Sequence, residues 1–260
     1  MRPRIAVTMG DPAGVGPEIV VQALRFPEVV SICRPVVYGD AGILRRAAAV
    51  LGQAVEVADG GESGPGRIVV RPLSSLSPDE VPFGRISEAG SRAMADYIRE
   101  AARDALAGRV DGVVTCPITK EGLKMAGVPF PGHTEFLADL CGGADVVMML
   151  AGDRLRVALV TIHVALRKAL ELLSLPVIVR TIRITHDFFR KYMGTDAPRI
   201  AVAGVNPHAG GAGCSATRRR RWWRLRLPPA GRKGSTRRAP TPPTPSFSAR
   251  TAGSSTWWWR

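Results

Sequence analysis

His133 and its neighbours form the stretch of this sequence with the clearest potential for chemistry. It stands in Gly132-His133-Thr134-Glu135, after two prolines and before an apolar helical pattern. Thr134 can cap a helix that begins near Glu135, and free N–H groups at a helix N-terminus favour an anion. Lys120 follows the preceding predicted strand. Together these residues predict a site for a small phosphorylated or carboxylated substrate.

The other three histidines differ in their surroundings. His163 and His208 each follow an apolar strand-like run, whereas His186 lies in a basic helical segment and is expected at the surface. Two neutral imidazoles at the ends of parallel strands can bind a divalent metal. The alternative is that each of them caps a neighbouring carbonyl group. No third metal ligand is evident in the sequence.

Residues Gly10–Glu18 follow the first apolar run and precede a helical pattern. Such a strand, glycine loop and helix can cradle an anion. The glycine spacing fits neither the dinucleotide fingerprint nor the Walker loop, so a purely structural turn is an equal alternative.

Apolar runs alternate with amphipathic patterns over most of the chain. This alternation predicts an α/β fold with a largely parallel sheet. The change to two apolar runs around residues 151–154 predicts an antiparallel hairpin later in the chain. The predicted strands are 4–9, 36–39, 68–71, 110–115, 145–150, 155–162 and 199–204, and the main predicted helices are 17–24, 41–51, 88–107, 166–173 and 176–193.

The positive charge of the chain is concentrated at one end. The formal net charge is +14, and residues 218–260 contribute eleven Arg and one Lys without any Asp or Glu. The four cysteines form no C-x-x-C pair, which argues against a zinc knuckle and favours a reducing cytoplasm. The sequence also shows neither a signal peptide nor an apolar run long enough for a membrane span.

Four motifs follow one another along the chain, at Thr8–Glu18, Gly132–Leu137, Thr161–Arg167 and Asn206–Gly210. Together they resemble the 4-hydroxythreonine-4-phosphate dehydrogenase (PdxA) family. The resemblance implies a homodimer with a two-domain α/β/α fold, similar to isocitrate and isopropylmalate dehydrogenases. It implies an N-terminal domain at 1–125 and a partial second domain at 126–210 that carries the substrate and metal motifs.

The resemblance also implies a reaction and roles for individual residues. In the family's reaction, NAD or NADP oxidises the hydroxyl group of 4-phosphooxy-L-threonine, and decarboxylation follows, in pyridoxal phosphate biosynthesis. By this resemblance His133 and Thr134 contact the substrate, while His163 and His208 bind a divalent metal such as Zn, Mg or Co. A similar branch of the family acts on D-threonate or D-erythronate 4-phosphate, and these motifs do not separate the two.

The sequence departs from the family pattern at residues 211–260. The family continues with a Leu-Phe-Gly-Asp-Glu-Glu-like segment and later a His-Asp-Gln-Gly motif with a third metal histidine. Cys214–Arg219 can be encoded so that the neighbouring reading frame gives Leu-Phe-Gly-Asp-Glu-Glu, so we interpret the basic tail as a frameshifted reading that impairs activity. A tail that binds nucleic acid and a purely solvated tail are the alternatives. Without the family segment, helices 88–107 and 176–193 are expected to expose apolar surface.

Overall fold

The computed structural model describes residues 2–205 and shows two compact units, Met1–Val146 and Val147–Arg260. Residues 126–146 therefore lie in the first compact unit, while the predicted domains 1–125 and 126–210 stay predictions. The predicted tail at 211–260 falls outside the described residues, as does His208.

The first unit alternates strands and helices along the chain. This order agrees with the predicted α/β class, including most of the predicted elements. The elements are β1 (Arg4–Thr8), α1 (Gly16–Ala23), α2 (Pro27–Ile32), β2 (Arg34–Gly39), α3 (Ala41–Val50), β3 (Glu56–Ala58), β4 (Arg67–Pro72), α4 (Glu88–Leu106), β5 (Gly112–Thr115), α5 (Lys120–Met125) and α6 (His133–Leu140).

These strands form one parallel sheet in the order β3-β4-β2-β1-β5. Within it β1 pairs with β2 and with β5, so that Val7 lies between Val37 and Val114 in register. Because the strands are parallel, the loops that follow β1, β2, β4 and β5 all leave at the same edge of the sheet. Residues from these loops can therefore meet there, as ligand sites in open α/β sheets do.

Helix α4 is the longest helix of the first unit and packs against β1, β2 and β5. Ser87 caps it by accepting a hydrogen bond from the Gly90 amide at 3.2 Å, and the predicted cap is confirmed. Met94, Tyr97 and Ile98 are completely buried. The sheet on one side and α5 and α6 on the other cover the middle of this helix. The expectation that the helix exposes apolar surface was therefore wrong for its middle, whereas Leu106 at its end is exposed.

A buried carboxylate links α4 to the sheet. Asp104 accepts hydrogen bonds from the Tyr38 hydroxyl at 2.5 Å and from Arg109 Nε at 2.7 Å, and it also pairs with Arg71. Burial alone would raise the pKa of Asp104, but the hydrogen bonds from Tyr38, Arg109 and Arg71 stabilise the carboxylate and lower the pKa to about 2. The cluster therefore keeps a charge inside the fold by surrounding it with donors.

The second unit has a different pattern in its described residues, 147–205. Its strands form the predicted antiparallel hairpin, with Met149 opposite Ala158. The predicted strand at 199–204 is not formed there. Only Ala201 takes part in a single bridge, because an apolar run becomes a strand only where a neighbouring strand pairs along its length. The elements are β6 (Met149–Ala151), β7 (Arg156–Ala158), α7 (Leu166–Leu172) and α8 (Leu175–Tyr192).

Few side chains of the described second unit are buried. Among the described residues 147–205, Val179 is the only buried hydrophobic residue, and α7 contains no buried residue. Helix α8 exposes Phe188 and Tyr192, as the sequence predicted for this helix. Within residues 2–205, the helices are too short or too polar to cross a membrane.

Candidate functional site

The carboxyl end of β1 leads into residues 10–17, which we call the glycine loop. Gly10 has φ +79°, and a Cβ atom added there would lie 2.3 Å from the Pro117 carbonyl oxygen. The same oxygen accepts a hydrogen bond from the Asp11 amide at 3.0 Å. The loops after β1 and β5 therefore touch at the sheet edge, and only glycine fits at position 10.

Asp11 organises the glycine loop from within. Its carboxylate accepts one hydrogen bond from the Ala13 amide at 2.9 Å and another from the Thr119 hydroxyl at 3.3 Å. Thr119 in turn accepts a hydrogen bond from the Gly122 amide at the start of α5. Asp11 thus couples the glycine loop to α5. These contacts give the loop a structural role, and the anion cradle stays a prediction.

Residues 73–87, which we call the connection, follow the same edge of the sheet. Asp40 Oδ2 accepts hydrogen bonds from the Ser74 hydroxyl and the Leu76 amide, both at 2.8 Å. Further along, the Gly84 amide donates to the Ala13 carbonyl oxygen at 2.8 Å. The connection is therefore fastened first at the end of β2 and then at the glycine loop.

Cys116 lies where β5 meets the glycine loop. Its side chain is buried, and a Cβ atom on Gly16 would lie 3.3 Å from its own Cβ. Burial raises the pKa of the Cys116 thiol to about 11. The thiol is therefore protonated near neutral pH, and the residue acts in packing rather than as a nucleophile.

His133 is the first residue of α6, where the sequence placed an anion site. The helix begins two residues earlier than predicted, and Gly132 is its N-cap without a side-chain hydrogen bond. The predicted cap by Thr134 was wrong, because Thr134 already lies inside the first turn. The amides of that turn have no acceptor within the helix, so they can face a ligand.

The His133 side chain has an unusual environment. Its Nε2 atom is buried and has no hydrogen-bond partner among the described residues. Desolvation lowers the pKa of His133 below its ordinary value of 6.5, so the imidazole is neutral at pH 7. A buried polar atom without a partner costs stability unless a bound ligand or an ordered water supplies the hydrogen bond.

Packing of α6 on the rest of the first unit fixes the position of this histidine. Phe136 is buried with Met94, Ile98 and Leu123 in one cluster of the core. The Arg99 guanidinium lies 5.5 Å from the centre of the Phe136 ring. Since Phe136 follows His133 by three residues, these contacts hold the N-terminal turn of α6 against α4.

The predicted metal ligands belong to the second unit and are only partly described. His163 is exposed and has φ +53°, in the bend after β7 rather than at the end of a strand. Within residues 2–205, no group of three or more His, Cys, Asp or Glu side chains could hold a metal ion. The described residues therefore do not form a metal centre by themselves, and the pairing of His163 with His208 stays a prediction.

Sequence reasoning missed Asp11, Asp40 and Arg46, whose contacts organise the sheet edge. Asp11 accepts a hydrogen bond from the Thr119 hydroxyl and Asp40 accepts one from the Leu76 amide, while Arg46 donates to the Pro12 carbonyl oxygen. Asp40 lies directly between β2 and α3, and Asp11 lies in the loop between β1 and α1, which is the available sequence signal. Arg46 has no such signal, because its acceptors lie more than thirty residues away along the chain.

Comparison with known proteins gives a consistent picture. Residues 31–255 match the family described as pyridoxal phosphate biosynthetic protein PdxA. The chain is 48% identical over 218 residues to a 4-hydroxythreonine-4-phosphate dehydrogenase of Desulfosudis oleivorans, covering 82% of this chain and 64% of that protein. It is also 38% identical over 213 residues to a D-threonate 4-phosphate dehydrogenase of Cupriavidus necator, covering 80% of this chain and 63% of that protein.

A solved structure agrees with these sequence matches. The crystal structure of a 4-hydroxythreonine-4-phosphate dehydrogenase from Burkholderia phymatum superposes with a TM-score of 0.73 at 39% identity, covering 81% of this chain and 64% of that one. The chain thus spans slightly less than two thirds of the length of these relatives. The parallel sheet, the match to the family and the identity to its members show that this chain belongs to the PdxA family.

Proposed function

We propose that the first unit binds a small phosphorylated hydroxy acid at the carboxyl edge of its sheet, as part of a PdxA-type dehydrogenase. The substrate that the relatives' name favours is 4-hydroxythreonine 4-phosphate. The observation that carries the proposal is His133, whose buried Nε2 atom lacks a partner at the start of α6. A ligand oxygen or hydroxyl group can supply that missing partner.

The chemistry of this turn suits such a substrate. A phosphate or carboxylate group is attracted by the free amides and by the positive end of the helix dipole. The neutral imidazole of His133 can exchange a hydrogen bond with a hydroxyl group, either as donor or as acceptor. A helix held by Phe136 and α4 presents these groups with little reorganisation, which favours binding.

The complete reaction that we propose is oxidation of the substrate hydroxyl group followed by decarboxylation. NAD or NADP, when bound, would accept the hydride. Neither the metal nor the cofactor receives a site from the described residues, because no metal cluster occurs there and the glycine loop lacks the dinucleotide fingerprint. Dependence on a divalent metal, the homodimer and a cytoplasmic location stay predictions, as does impaired activity of this chain.

Replacing His133 by phenylalanine separates a binding role from a structural role. The aromatic ring preserves packing but removes the unpartnered nitrogen, so we expect folding to be stabilised by about 1 kcal/mol. We expect the affinity for 4-hydroxythreonine 4-phosphate, measured by titration calorimetry, to fall about tenfold through loss of a hydrogen bond. His186→Phe is the matched control, because His186 lies on α8 and contacts its neighbour Asp187.

Two results would overturn the proposal. The wild-type chain could fail to bind the phosphorylated substrate at millimolar concentration, or His133→Phe could bind it as tightly as His186→Phe does. An assay of NADH or NADPH formation, with and without added Zn, Mg or Co, then measures how much of the complete reaction this chain supports.

A second substrate is favoured by the relative from Cupriavidus necator, which is named a D-threonate 4-phosphate dehydrogenase. Both compounds carry a phosphate and a carboxylate, but D-threonate lacks the ammonium group of 4-hydroxythreonine. A direct comparison of the two affinities in the same calorimetric titration decides between them.

Nucleic-acid binding by residues 211–260 concerns residues outside the described part. It predicts salt-dependent DNA affinity that is lost on truncation after Gly213.

A further inference from the structure

Arg46 joins two segments of the sheet edge that are distant in sequence. From α3, its guanidinium donates to the Pro12 carbonyl oxygen in the glycine loop at 3.0 Å and to the Val81 carbonyl oxygen in the connection at 2.9 Å. Its third nitrogen, Nε, is buried and has no hydrogen-bond partner among the described residues. One side chain thus holds both loops at once.

Contacts around Arg46 strengthen this junction. Val81 is fully buried in the core, and the Arg46 guanidinium lies 4.2 Å from the centre of the Phe83 ring. A few residues on, the Gly84 amide donates to the Ala13 carbonyl oxygen. The connection therefore meets the glycine loop at two adjacent peptide groups, Pro12 and Ala13, and Arg46 supplies the first of these contacts.

The geometry points to Arg46 as a positioning residue of the proposed ligand site. It acts through the glycine loop. Arg46 fixes the Pro12 carbonyl, the neighbouring Asp11 carboxylate bonds to Thr119, and Thr119 caps α5. Helix α5 precedes α6 and shares the same core cluster through Leu123 and Phe136. A shift of the glycine loop would therefore reach the turn that carries His133.

An arginine is required because the two acceptors diverge. Its planar fork presents separate N–H groups to two carbonyl oxygens, whereas a lysine ammonium is a single point on a flexible stem. Stacking on Phe83 uses the same plane of the guanidinium, which a lysine cannot reproduce as well. Arg46→Lys is thus expected to retain the charge and lose the bridge.

The test compares Arg46→Met with Arg45→Met in the full chain. Methionine keeps an apolar stem in both cases. Arg45 is exposed and makes a single 3.4 Å hydrogen bond to the Val57 carbonyl oxygen, away from the glycine loop. We expect hydrogen exchange of the Gly84 amide to become at least tenfold faster in Arg46→Met, as loss of hydrogen bonds to a charged donor implies, and to stay unchanged in Arg45→Met.

The ligand part of this inference rests on the proposed function, and a second readout examines it. The affinity for 4-hydroxythreonine 4-phosphate should fall about tenfold in Arg46→Met while its far-UV circular dichroism matches the wild type. Unchanged Gly84 exchange in Arg46→Met overturns the junction itself. Faster exchange with unchanged affinity overturns the positioning role. If the wild type binds no substrate, the proposed function and the positioning role fail together, whereas the exchange rates still decide the junction.

Discussion

Replacing Gly10 by alanine should destabilise the first unit by about 3 kcal/mol, from three contributions. A side chain at φ +79° in the left-handed region costs about 1–2 kcal/mol. The new Cβ atom would lie 2.3 Å from the Pro117 carbonyl oxygen, which must retreat by about 1 Å to reach an ordinary contact of 3.4 Å. That movement also weakens the 3.0 Å hydrogen bond from the Asp11 amide, at a cost of about 1 kcal/mol.

Gly108→Ala separates backbone strain from the close contact. Gly108 ends α4 with φ +68°, and an added Cβ atom there meets nothing within 4 Å. Its replacement should cost only the strain of the left-handed conformation, about 1–2 kcal/mol. Urea denaturation followed by far-UV circular dichroism gives both free energies of unfolding, and an unchanged slope with denaturant would show that the unfolded states are comparable.

Gly10→Ala should therefore lose more stability than Gly108→Ala. If Gly10→Ala and Gly108→Ala lose equal stability within about 0.5 kcal/mol, the contact between the glycine loop and Pro117 does not constrain the fold. In that case the loops after β1 and β5 are not held together as described. The hydrogen bond between Asp11 and Thr119 could then not couple the glycine loop to α5 as inferred above.

Two further predictions concern buried ionisable groups. Because the folded-state pKa of Asp104 is about 2 and its ordinary value is 3.8, its contribution of about 2 kcal/mol is present above pH 4 and lost as the pH falls towards 2. Between pH 6 and pH 3, the urea concentration at the unfolding midpoint should therefore fall more steeply for the wild type than for Asp104→Asn. Parallel curves for the two proteins would contradict stabilisation by the ionised Asp104 carboxylate. Because Cys116 is buried and Cys141 is exposed, a thiol reagent at pH 8 should label Cys141 before Cys116. Peptide mapping of the labelled protein measures both rates, and equal rates would contradict the burial of Cys116 at the end of β5.

Local patterns predicted most elements of the first unit, because several signals agree at boundaries such as those of α4. Ser87 before α4 and Gly108 after it are the residues expected for a cap and a left-handed end, and the apolar positions between them repeat with a helical period. The order of the strands in the sheet, in contrast, could not be predicted from local patterns. That β5 lies beside β1 depends on contacts between residues about a hundred positions apart, which no local pattern contains.

The same distinction applies to the candidate site. His133 was identified from its immediate neighbours, and the structure places it in the first turn of α6. The predicted start near Glu135 was wrong. Threonine is usually preferred to glycine as an N-cap, whereas here Gly132, with an extended backbone, is the N-cap of α6. Asp11 and Arg46 could not be recognised, since their roles depend on carbonyl, amide and hydroxyl groups that only the folded chain brings within reach.

The second unit shows why a helical period alone does not make a core. Helix α8 carries the expected apolar positions, yet Val179 is its only buried hydrophobic residue, while Phe188 and Tyr192 remain exposed. Burial stabilises a helix only where another surface covers its apolar face, so such a face needs a partner element. In the first unit, by contrast, the sheet and helices α5 and α6 cover the apolar face of α4. His133, Gly10 and Arg46 all lie in this packed unit. Experiments on His133, Gly10 and Arg46 therefore examine the region in which a local change in structure can be measured.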